Sequence, residues 1–180
     1  MPIKIHDNLP ARKLLQNEVV DVIDSSTAEK QDIRPLKFLL LNLMPKKLET
    51  EVQFARLLGA SPLQIELTLM TTETYSPRNT KKEHLIEFYK TLDDISNNFY
   101  DVLIITGAPV ETVPFQEVKY WNELKEIISW SSRNVFRRIG VCWGAQALLK
   151  VVHNIEKYSM EKKLFGVYDH NLNQEKRYRL

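Results

Sequence analysis

The sequence predicts an α/β fold with a mostly parallel sheet and helices on both faces. Three observations carry this. Residues 36–43 and 100–106 are near-continuous apolar runs of strand length, as expected of strands covered on both sides. Segments of helical period stand between and after them. In residues 138–150 a short apolar strand passes through a small-residue turn into a helix. Strands alternating with helices argue for a parallel sheet wrapped on both faces, with its chemistry at the carboxyl ends of the strands.

Residues 1–35 are expected to be an irregular N-terminal segment packed on the domain. Pro2 and Pro10 punctuate it; a short helix is predicted over 11–17, a short strand over 19–23 and a polar surface loop over 24–32. The main domain is predicted over 36–170. Its first strand, 36–43, ends in a loop at 44–48. A helix follows over 49–58, with Val52, Phe54, Ala55, Leu57 and Leu58 as its apolar residues, acidic residues in its first turn and Gly59 at its end. Pro62 precedes a strand over 63–70, in which Leu63, Ile65, Leu67 and Leu69 alternate with other residues.

Asn79 and Thr80 can cap a helix over 84–93 that places Leu85, Phe88 and Leu92 on one side. The strand over 100–106 runs directly into Gly107-Ala108-Pro109. A long amphipathic helix over 115–131 turns Tyr120, Leu124, Ile127 and Ile128 inwards. A strand over 139–141 leads to Cys142, and a helix runs from about 144 to 152. A short strand over 165–168 and a polar tail over 171–180 complete the chain. Loops 44–48, 106–112 and 142–144 are thereby predicted to meet at one end of the sheet.

Composition narrows the function. A chain of 180 residues suits one sizeable core, and a net charge of +2 asks for neither nucleic acid nor an anionic membrane. The single cysteine fits a reducing compartment, no signal sequence is visible, and the apolar runs are too short to span a bilayer. A cytoplasmic location is expected. No metal-ligand cluster is visible.

Cys142 is the candidate nucleophile. Gly140 and Gly144 flank it, so the backbone can turn sharply between strand and helix and lift the thiol clear of the sheet. Free N–H groups at the head of the following helix would favour a thiolate, and the Trp143 N–H is the first candidate donor to an oxyanion. A buried, inert core thiol is the competing reading.

Gly140-Val141-Cys142-Trp143-Gly144-Ala145-Gln146 resembles the G-x-C-x-G-x-Q elbow of class I glutamine amidotransferases, a flavodoxin-like three-layer fold. Further words narrow the likeness. They are Ile33-Arg34-Pro35-Leu36-Lys37, residues 41–51 with Gln53-Phe54, Arg78-Asn79-Thr80, and Glu83-His84-Leu85. Thr106-Gly107-Ala108-Pro109, Tyr120-Trp121, Lys163-Leu164 and Gly166-Val167-Tyr168 complete the set. This ordered set resembles the homoserine O-acyltransferases of methionine biosynthesis, the transsuccinylases and transacetylases, from the N-terminus to about residue 170.

The resemblance implies acyl transfer through a Cys142 thioester, with acetyl-CoA as co-substrate, a hydroxy amino acid as acceptor and no permanently bound cofactor. Trp143 and the loop at Gly107 would supply oxyanion donors. Lys163 would hold the acceptor's carboxylate; a solvated surface lysine is its alternative. Glu111 falls where the family changes with acyl donor, and its charge would repel a succinyl carboxylate and favour acetyl; an exposed loop glutamate is the alternative. Lys46 and Lys47 match a lysine pair near the family's site, with a solvated basic loop as the plain reading.

None of His6, His84, His153 and His170 matches the family's base. His84 is expected in a surface or capping role and His153 at a helix C-terminus. The resemblance places the catalytic His and Glu beyond residue 180, so the fold is expected to be C-terminally incomplete and to self-associate through uncovered sheet edge and helix faces, as a homodimer or otherwise. Serine as acceptor, succinyl-CoA as donor, glutamine amidotransfer and a non-catalytic domain of the same fold remain open as alternatives.

Overall fold

The computed structural model describes residues 2–31, 33–74, 80–162, 164 and 166–169. In chain order the elements are β1 (Ile3–Lys4), α1 (Ala11–Asn17), β2 (Val22–Ile23), α2 (Ser25–Glu29), β3 (Leu36–Leu41), α3 (Lys47–Gly59) and β4 (Ile65–Met70). They continue with α4 (Lys82–Phe88), β5 (Tyr89–Lys90), α5 (Leu92–Ile95), β6 (Tyr100–Ile105), a 3-10 turn (Phe115–Glu117), α6 (Trp121–Asn134), β7 (Val135–Gly140) and α7 (Trp143–His153).

The strands form one sheet in the order β2-β1-β4-β3-β6-β7, with β5 also pairing β4, and every pairing is parallel. The fold is therefore the predicted three-layer α/β architecture. Successive side chains of a strand point to opposite faces, and the apolar runs divide accordingly. Leu39, Leu41, Leu103 and Ile105 pack beneath α6 and α7 with Leu124, Ile127, Trp143 and Ala147. Leu40, Ile104, Leu67 and Leu69 pack on the other face with Leu15, Val52 and Ala55. From β3 the chain moves outward to β4, while from β6 it moves the opposite way to β7. The order of strands thus reverses between β3 and β6, and a crevice opens there at their carboxyl ends.

Several elements differ from the sequence expectations. The N-terminal segment is more regular than expected: besides the predicted helix α1 it adds β1 and β2 to the sheet and buries Ile3, Ile5, Leu9, Ala11 and Leu15. The loop expected over 24–32 holds α2, because the Asp24 carboxylate accepts the Thr27 N–H at 2.7 Å and caps it. The helix expected over 84–93 stops at Phe88. Beyond it Tyr89 and Lys90 pair with Leu69 and Met70, which β1 leaves open by covering only Ile65 and Glu66. The helix expected over 115–131 is broken after a 3-10 turn, Val118 is extended, and α6 starts at Trp121. The break lets Phe115 stack on Trp121 at 4.7 Å; residues six apart on one helix would face different sides.

The strand expected over 139–141 is the longer β7, starting at Val135. Its middle residues are exposed, so Arg137 and Arg138 are tolerated and the apolar pattern disappears. Phe165 lies outside the described residues, and 166–168 hold no strand. The tail over 171–180 is outside them as well. No helix among the described residues is long and apolar enough to cross a membrane.

Candidate active site

Cys142 stands between β7 and α7 with φ 55° and ψ −122°, a backbone state that L residues rarely adopt. The sharp turn is held from both ends. Val141 N–H donates to the Ile105 carbonyl at 2.9 Å, extending the β6–β7 pairing, and Gly144 N–H donates to the Val141 carbonyl at 3.0 Å. A Cβ at Gly144 would lie 2.4 Å from the Ile105 oxygen, and one at Gly140 would lie 2.5 Å from Ala145 Cα. Both glycines are therefore required by close approach, as their spacing predicted.

The thiol is exposed, whereas the next residue, Trp143, is fully buried. Its indole anchors the elbow within an aromatic cluster, 6.0 Å from the ring of Phe115, 6.1 Å from Tyr120 and 6.4 Å from Trp121. Ala145 N–H is taken up by the Cys142 carbonyl. The Trp143 N–H has no hydrogen-bond partner among the described residues, so it remains available to a ligand at the head of α7. Its indole Nε1 is likewise buried without a partner among them.

The three loops predicted to meet do so. A Cβ at Gly107 would lie 3.2 Å from Cys142 Cβ, 3.5 Å from its Sγ and 3.8 Å from Met44 Sδ. Thr106 ties two of the loops together: its Oγ1 accepts from Leu43 N–H at 2.8 Å across the β3–β6 crevice and donates to the Gly107 carbonyl at 3.1 Å. A cavity of about 610 Å³ opens between the loops, lined in part by Leu43, Pro45, Pro109, Val110, Val113 and Tyr120.

Lys47 is not in a solvated loop. It is the first residue of α3 and is buried, and its ammonium donates to the Asn42 carbonyl and lies 5.1 Å from the centre of the Tyr89 ring. Burial pushes its pKa down to about 8, against a smaller opposing pull from Glu51. Lys46, by contrast, is exposed and pairs with Glu49 at 3.0 Å.

His84 is not a surface cap. Its Nε2 meets Glu51 Oε1 at 2.9 Å, and the same oxygen accepts from the Tyr89 hydroxyl at 2.6 Å. Asn42 donates to Tyr89 at 2.9 Å and closes the network. Burial, followed by the Glu51 charge, holds the Tyr89 hydroxyl well above the usual phenol range. No sequence pattern marked this network, because Glu51 lies 33 and 38 residues along the chain from its partners His84 and Tyr89. His153 ends α7 as expected, about 15 Å of helix from the elbow, too far to serve the thiol.

Glu111 is exposed, in the turn that closes the loop beginning at Gly107. Lys163 and His170 lie outside the described residues. Lys157, which no sequence pattern marked, reaches the Glu111 loop: its ammonium donates to the carbonyls of Val110, Glu111 and Val113. Among the described residues no group of three or more His, Cys, Asp and Glu could hold a metal ion.

A parallel sheet that presents a strained cysteine between strand and helix, beside a glycine loop at a reversal of strand order, defines the class of α/β proteins with a cysteine elbow. A family model described as "HTS: Homoserine O-succinyltransferase" matches residues 2–180, and the chain belongs to that family. Among curated relatives, a homoserine O-acetyltransferase of Shouchella clausii is 54% identical over 172 residues, which is 96% of this chain and 56% of that protein. The homoserine O-acetyltransferase of Bacillus subtilis (strain 168) is 51% identical over 96% of this chain and 57% of its own length. That of Clostridium acetobutylicum is 52% identical over 97% and 58%. The chain thus spans somewhat more than half the length of the curated relatives it matches.

Proposed function

We propose that the protein is a homoserine O-acetyltransferase of methionine biosynthesis, moving an acetyl group from acetyl-CoA through a Cys142 thioester to the hydroxyl of L-homoserine. The observation that carries this reading is Cys142 itself, an exposed thiol in a strained backbone state at the head of α7 and against the Gly107 backbone. The names of the relatives support the acyl group and the acceptor.

In the first half-reaction the Sγ thiolate attacks the acetyl carbonyl carbon, the bond to the coenzyme sulfur breaks, and coenzyme A leaves as its thiolate. In the second, the homoserine hydroxyl attacks the Cys142 thioester and its proton passes to a base. O-acetylhomoserine departs and the thiolate returns. The Trp143 N–H, with a backbone donor from the loop at Gly107, stabilises the oxyanion formed in each half. The cavity lined by Leu43, Pro45, Pro109 and Val110, further along the loop that begins at Gly107, suits the pantetheine arm of the coenzyme.

Glu111 carries a charge into the loop next to the thiol and disfavours a succinyl group's terminal carboxylate. Lys163 pairs with the carboxylate of the acceptor. The base, a histidine with its glutamate partner, belongs on family sequence beyond residue 180. The chemistry as written uses no resident cofactor, nucleic acid or membrane, and the location is the cytoplasm.

The test is intact-mass analysis after incubation with acetyl-CoA or succinyl-CoA. An acetyl adduct on Cys142 is expected, weaker with succinyl-CoA and absent in Cys142→Ser. No adduct from either donor would sink the proposal, because the first half-reaction needs no acceptor.

A further inference from the structure

The Lys157 ammonium has three N–H donors and uses them on three carbonyls of one turn, at 3.3 Å to Val110, 2.7 Å to Glu111 and 2.6 Å to Val113. It also lies 4.8 Å from the centre of the Phe115 ring, the ring that stacks on Trp121 and lies next to Trp143. The turn is closed on itself by Val113 N–H donating to the Val110 carbonyl at 3.1 Å. Carbonyl oxygens turned towards one point repel each other unless a cation or donor stands between them. The turn is thus shaped around the lysine.

Lys157 follows α7, the helix whose head carries Cys142, whereas the turn ends the loop that starts against Cys142 at Gly107. The segment after the nucleophile's helix and the far end of the acyl-side loop are joined through this ammonium. We propose that Lys157 is a positioning residue for acyl-donor selection: it fixes the 107–113 loop against the elbow and holds the Glu111 carboxylate where it screens incoming acyl groups by charge. This rests on the reading of Glu111 under the proposed function. Burial pushes the lysine's pKa down while the Glu111 charge opposes that, so the carboxylate acts on the same ammonium that holds its own carbonyl.

The experiment uses the full chain and two alkylating agents of similar size, neutral iodoacetamide and anionic iodoacetate. The ratio of the iodoacetamide rate to the iodoacetate rate at Cys142 rises with the negative charge facing the thiol, with no need for turnover. Hydrogen exchange of the 107–113 amides reports the clamp.

Glu111→Gly is expected to lower the ratio about threefold or more. Lys157→Met is expected to lower it as well and to speed exchange in the loop about tenfold, while Lys157→Arg stays within about twofold of the starting protein. The sign is diagnostic: deleting a cation without moving Glu111 would raise the ratio. A raised or unchanged ratio in Lys157→Met, with a lowered one in Glu111→Gly, overturns the positioning role and leaves the Glu111 reading intact. Unchanged exchange in Lys157→Met overturns the clamp whatever Glu111 does. An unchanged ratio in Glu111→Gly overturns the charge reading of Glu111 itself. Lys157→Gln, which retains a single amide donor group, takes the place of Lys157→Met should that variant not fold.

Discussion

Cys142 holds φ 55°, where a side chain crowds its own backbone, at a cost of about 1–3 kcal/mol for a non-glycine residue. Its thiol is exposed, so little packing is lost on removing it. Cys142→Gly is therefore expected to raise the urea midpoint, by about 1 kcal/mol in stability, while abolishing alkylation at this position. A lowered midpoint would mean that the elbow is unstrained.

Lys47 gives a second residue-scale expectation, with a definite sign. Its pKa is about 8 in the folded protein and about 10.5 in the unfolded chain. Below pH 8 both states keep the proton and the cost of burying the charge is fully present. Between about pH 8 and 10.5 the folded protein loses the proton first, the unfolded state binds more protons, and stability rises with pH. Relative to Lys47→Met, the protein should gain about 1–3 kcal/mol across that window in denaturant titrations at several pH values. A flat difference would show that Lys47 is better solvated than its position at the foot of α3 implies.

The scale of elements shows how loops are held at the carboxyl end of the sheet. Glu123, in the first turn of α6, accepts the N–H groups of Glu73 and Thr74 at 2.7 and 3.0 Å and the Thr74 hydroxyl. One carboxylate thus anchors the segment leaving β4. Glu123→Ala is expected to cost about 1–2 kcal/mol and to open this segment to limited proteolysis before any other. Unaltered cleavage would assign the anchoring to other contacts. Elements buried on both faces, β3 and β6, were legible because their apolar runs are continuous. Those defined by a partner were not. Tyr89–Lys90 reads as part of a helix until half of the β4 edge is seen to lack a strand, and only the end of β7 reads as a strand until the exposure of its charged middle is known.

At the scale of the molecule, β7 pairs only with β6 among the described residues, while Phe136 and Ile139 are exposed on it and Leu149 and Val152 on α7. An open edge beside apolar side chains invites a partner. The 180-residue chain is expected to associate with itself at micromolar concentration in light scattering, and Phe136→Lys to weaken that association. A monomer mass throughout the range would refute it.

The sequence alone determined the class of fold, the elbow at Cys142 and the meeting of its three loops. These follow from local rules: buried parallel strands need unbroken apolar runs, and a sharp strand-to-helix turn needs glycines at fixed offsets. Only the tertiary structure decided that Lys47 is buried, that His84 belongs to Glu51 and that Lys157 grips the Glu111 loop. The last two span 33 and 46 residues of chain, one between two side chains and one from an ammonium to a backbone carbonyl. No period or spacing along the chain encodes such contacts, because they depend on where packing brings two distant surfaces together.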